Sequence, residues 1–129
     1  MRALETGCKI NFVDTNDVYV GFDYGQSCCE QFGYFYTKTE PTAKECHESY
    51  CTDRGDSSIT KLELEPYNFV TNYYEFYEDD YGGGFAVFKM TTGTNDIYLV
   101  LFNHHNGYYS HGFEMGLGIG GEIVRQGSL

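Results

Sequence analysis

The chain has no tryptophan, two prolines and only eight basic residues against nineteen acidic ones. Each scarcity excludes something. Proline cannot donate to a β-ladder, so its rarity leaves extended segments free to pair. A formal charge of −11 and a pI near 4.5 argue against direct contact with nucleic acid or an anionic membrane, because a negative field repels both. No apolar run is long enough to span a bilayer, and residues 1–7, MRALETG, are too short and polar for an export signal. The expectation is a reduced, cytoplasmic protein. Its five cysteines, an odd number without a CxxC pair, are then thiols.

Tyrosine (13), phenylalanine (10) and glycine (16) are plentiful. Aromatic and β-branched residues suit a pleated, half-buried surface, and glycine supplies turns. A mainly β fold follows, with α+β left open: a single antiparallel sheet or roll built from hairpins, in one domain over residues 1–129. Alternation predicts strands at 8–13 and 17–24, joined by the polar turn Asp14-Thr15-Asn16-Asp17, and a third from Gln31. Ser27 admits a helical turn through Cys28-Cys29-Glu30 as an alternative. Thr42 and Glu45 fit the capping box of a short helix over 42–50. Residues 61–81 read as one long strand or two broken at Pro66, and 85–92 as another.

The strongest local signal lies in residues 95–115, where two apolar runs meet at Asn106-Gly107, a pair suited to a two-residue hairpin turn. That register predicts Val100 opposite Phe113, Tyr98 opposite Met115 and Phe102 opposite His111. Both faces of 96–103 are apolar, so it is expected to be an interior strand. Residues 116–129 are expected to be an edge segment or a frayed tail.

Residues 40–80 hold eleven acids against three bases, with tyrosines interleaved. This stretch supplies the candidate partner-binding residues Glu63, Glu65, Tyr73, Glu75, Tyr77, Glu78, Asp79, Asp80 and Tyr81; a merely solvated, solubilising face is the alternative. His104, His105, Tyr108 and Tyr109 flank the expected turn and are candidate contacts of a hairpin tip. Cys28 and Cys29 with His111 offer a weak metal or Cys/His alternative. Neighbouring strand residues point to opposite faces, however, and no zinc spacing is present. His111 is expected to be a hydrogen-bonded core residue. No cofactor is expected, and no triad, paired-acid or phosphate-loop pattern points to an enzyme.

Residues 27–35, SCCEQFGYF, and 95–115 resemble the two signature blocks of an uncharacterised small-protein family common in phage and bacterial genomes. Its members carry an Asp-Cys-Cys-Glu motif early and an Asn-Gly-Tyr-Tyr-Ser hairpin late. Ser27 stands where that family has aspartate. The resemblance implies one compact domain of phage-related origin and no catalytic residue. The functional expectation is a non-enzymatic acidic protein that blocks the basic, nucleic-acid-binding surface of a host protein such as a nuclease, as an anti-defence DNA mimic. A small Cys/His metal protein or enzyme and a virion component are the alternatives.

Overall fold

Aromatic or aliphatic residues at every second position mark the extended segments that build the core, as in Lys9–Val13 and Asp96–His104. Among the described residues there are ten strands: β1 (Arg2–Thr6), β2 (Lys9–Val13), β3 (Tyr19–Asp23), β4 (Gln31–Thr37), β5 (Asn68–Phe69), β6 (Glu75–Glu78), β7 (Gly84–Thr91), β8 (Asp96–His104), β9 (Gly112–Gly116) and β10 (Ile123–Ser128). The computed structural model describes residues 1–25, 31–42, 64–78, 83–104, 109–118 and 121–129. The Cys28-Cys29-Glu30 block, residues 43–50 of the expected helix and the Asn106-Gly107 turn lie outside these. No helix among the described residues is long and apolar enough to cross a membrane.

Every strand pair is antiparallel. One sheet runs β1-β2-β3-β9-β10, the other β4-β8-β7-β5, with β6 also pairing to β7. The mainly β, antiparallel class expected from composition is what forms, as two facing sheets. Ile10, Phe12, Val20, Phe22, Phe113 and Met115 of the first meet Phe88, Met90, Ile97, Leu99 and Leu101 of the second in one buried cluster. Phe88 and Phe113 touch edge to face across it, with ring centroids 6.0 Å apart. Burying each such side chain contributes about 1.5–3 kcal/mol.

β8 is interior, as its two apolar faces predict: it lies between β4 and β7. Ile97, Leu99 and Leu101 enter the space between the sheets. Tyr98, Val100 and Phe102 face the other way and build a second buried cluster with Phe85 and Val87. The expected pairing of this strand with 110–115 does not form. Val100 stands opposite Phe35 and Val87, Tyr98 opposite Thr37 and Lys89, and Phe102 opposite Gly33 and Phe85. A strand has two edges, and β4 and β7 occupy both of β8's. β9 pairs instead with β3 and β10 in the other sheet.

The N-terminal residues, polar as they are, form the hairpin partner of β2. At the other end β10 is an edge strand of the first sheet. Leu129 is buried, and its main chain exchanges two hydrogen bonds of 2.8 Å with His111. The turn at residues 14–17 is held by the buried Asp14. Its Oδ1 accepts from the N–H of Asn16 (2.8 Å) and Val18 (2.9 Å), and its Oδ2 from Phe69 N–H (2.9 Å). One carboxylate thus fixes the β2–β3 turn and pins β5 to it.

Candidate functional site

β6 pairs with β7, Glu75 opposite Val87 and Glu78 opposite Gly84; no described strand lies along its other side. Alternation turns Phe76 inward, its ring stacked 6.5 Å from Phe113, and Tyr77 outward onto the Phe85–Tyr98–Phe102 cluster. Glu75 and Glu78, at the two ends of the strand, are exposed. Charge on an edge strand also discourages the indiscriminate addition of another chain's strand.

Tyr73, just ahead of β6, donates its phenol hydrogen to Glu40 Oε1 at 2.7 Å. Its ring lies 5.7 Å from that of Tyr98, and Lys89 Nζ sits 5.7 Å from its centroid. The Tyr73 pKa is pushed up, chiefly by burial, then by the hydrogen bond and charge of Glu40 and the charge of Glu75. Tyr98 is raised too, first by burial and then by Glu40. Glu40 therefore acts on both phenols, and Glu75, from a distant part of the chain, on Tyr73. Asp96, at the start of β8, adds a third carboxylate 3.5 Å from Lys89 Nζ. A hydrogen bond from Thr91 and the Lys89 charge hold its carboxyl below the ordinary range against the opposing effect of desolvation. The described residues of 40–78 contain no lysine or arginine to offset Glu40, Glu65, Glu75 and Glu78, all of which are exposed.

Of the residues expected from sequence, Glu65, Glu75 and Glu78 are at the surface. Tyr73 and Tyr77 are half-buried and brace the edge by packing on the second cluster. Glu63, Asp79, Asp80 and Tyr81 lie outside the described residues. Glu40 and Asp96 join the site without having been singled out. Glu40 sits beside Pro41 at the margin of the acidic stretch, and Asp96 lies beyond it, so only the fold brings them to Tyr73 and Tyr98.

Of the expected hairpin tip only His104 and Tyr109 fall among the described residues. His104 stands opposite Gln31, its ring 5.3 Å from Phe85 and 6.1 Å from Phe102. Tyr109 is exposed, and its carbonyl accepts from Asn103 Nδ2 at 3.0 Å. His105 and Tyr108 lie outside the described residues. His111 is a buried core histidine, Nδ1 2.7 Å from Asp23 O, stacked 4.1 Å from Phe32 rather than placed against Phe102. Cys28 and Cys29 lie outside the described residues, among which no three His, Cys, Asp or Glu side chains are grouped to hold a metal. Fold and edge together define an antiparallel two-sheet protein with an acidic rim. No known family, curated protein or solved structure matches this chain.

Proposed function

We propose that the protein is a non-enzymatic binding protein whose acidic sheet edge occupies the basic, nucleic-acid-binding surface of a host protein such as a nuclease. Lysines and arginines that bind phosphates respond to charge and spacing, so carboxylates fixed on a scaffold can stand in for a nucleic-acid backbone. The observation that carries this reading is the convergence of Glu40 and Glu75 on Tyr73, where the one cation beside the ring among the described residues, Lys89, is itself held by Asp96. β7, buried on both faces apart from Lys89 and Thr91, gives that rim a fixed backbone. On this reading the protein acts against host defence, in the host cytoplasm.

The test is capture of the partner from host lysate, followed by titration of the purified pair. The logarithm of affinity should fall steadily with the logarithm of salt concentration, and duplex DNA should displace the protein. Glu75→Gln with Glu78→Gln should lower affinity about tenfold or more without changing the thermal midpoint. Binding indifferent to ionic strength, or to both substitutions, would reject the proposal.

A further inference from the structure

The outer face of the first sheet lacks side chains where its strands would ordinarily carry them. Ile10, Phe12, Val20, Phe22, Phe113 and Met115 point into the core, so the alternate positions face outward, and on β3 and β9 these include Gly21, Gly112 and Gly116. Two of the three are roofed. The Tyr19 ring lies against Gly116, and the Lys9 chain crosses Gly21 to reach Glu114 Oε1 at 2.8 Å. Gly112 is bare: a Cβ there would meet only Gly127 O, at 3.9 Å.

The result is a shallow, open trough of about 800 Å³. The backbone of Gly21 and Gly112 lies along it, with Asp23, Glu114, Gln126 and Ser128 at its sides. The chemistry of that lining is selective. Lys9 is already engaged by Glu114, and Asp23 adds a second carboxylate, so an anion meets net negative charge. Phe113, the one large apolar residue of the lining, is buried in the core, so the apolar part of the wall is glycine and methylene carbon rather than an aromatic or branched side chain. Two carboxylates that accept, an ammonium that donates, and an amide and a hydroxyl that do both match hydroxyl groups, which donate and accept at once.

We propose that this trough binds a neutral polyhydroxylated ligand, a saccharide, laid along the exposed backbone at Gly112. The site is separate from the acidic rim on β6, and either can fail without the other.

The experiment is an amide chemical-shift titration of the whole chain with maltotriose, cellotriose and triacetylchitotriose as probes. At least one should produce saturable shifts at Gly112, Glu114 and Gln126. Gly112→Val places a side chain in the open space, at a residue outside the left-handed region. It should keep the fold, keep the salt-sensitive binding of the β6 rim and abolish the shifts. Glu114→Gln should weaken saccharide binding about tenfold. The proposal is overturned if none of these sugars moves those amides, if Gly112→Val binds as well as the parent, or if a sulfated sugar binds more tightly than its neutral counterpart.

Discussion

Asp14 is 5 % exposed and holds three main-chain N–H groups, two in its own turn and one at Phe69. Donors that lose such a partner inside a protein have no water to turn to, and bonds to a charged acceptor are the stronger kind. Asp14→Ala should therefore cost about 2–4 kcal/mol, seen as a lower urea midpoint at unchanged slope. Asp14→Asn should fall between the two, because its amide nitrogen cannot accept. A midpoint equal to that of the parent would show that the turn does not depend on this carboxylate. The small polar run at 14–17 is legible in the sequence as a turn. The reach to Phe69 is not, because a side chain's hydrogen-bonding capacity names no partner 55 residues away. The same holds for Glu40, which joins Tyr73 and Glu75 only through the fold.

β8 shows where local pattern stops being informative. A period of two decides that Ile97, Leu99 and Leu101 share one face and Tyr98, Val100 and Phe102 the other, and both sets are buried as that pattern requires. It does not decide which strands lie alongside. An interior strand needs two neighbours; β4 and β7 fill both places, and the preference of Asn106-Gly107 for a tight turn cannot add a third. The β6–β7 contact is closer still. A Cβ at Gly84 would overlap the carbonyl oxygen of Tyr77, so glycine is what lets the acidic strand dock. Gly84→Ala should force β6 outward at a cost of about 1–3 kcal/mol. Hydrogen exchange should then speed up at β6 amides while those of β2 and β3 keep their protection. Uniform loss of protection would mean instead that β6 and the core open together.

Aromatic rings join the two sheets into one body: Phe12 lies 4.9 Å from Tyr34, Tyr24 5.1 Å from Phe32, and Tyr74 5.7 Å from Phe88 and 6.1 Å from Phe113. The phenols of Tyr19, Tyr34, Tyr36, Tyr73, Tyr74 and Tyr98 are all raised, with burial as the first cause in each case. Below about pH 10 these groups are protonated whether the chain is folded or not, and they leave stability independent of pH. As pH climbs past that value the unfolded chain releases its phenol protons while the folded one retains them. Stability is then lost progressively towards the higher folded pKa values. Circular dichroism against pH should show cooperative unfolding in that window, together with a rise in tyrosinate absorbance. Tyr36→Phe keeps the ring that faces Phe12 at 6.3 Å and removes one phenol that resists ionisation in place. Its alkaline midpoint should move upward, with neutral-pH stability nearly unchanged. The molecule also carries a formal charge of −11 at pH 7, which grows with every phenolate and works against the compact state. If that repulsion rather than buried phenols drives the transition, Tyr36→Phe will leave the midpoint where it was and added salt will raise it.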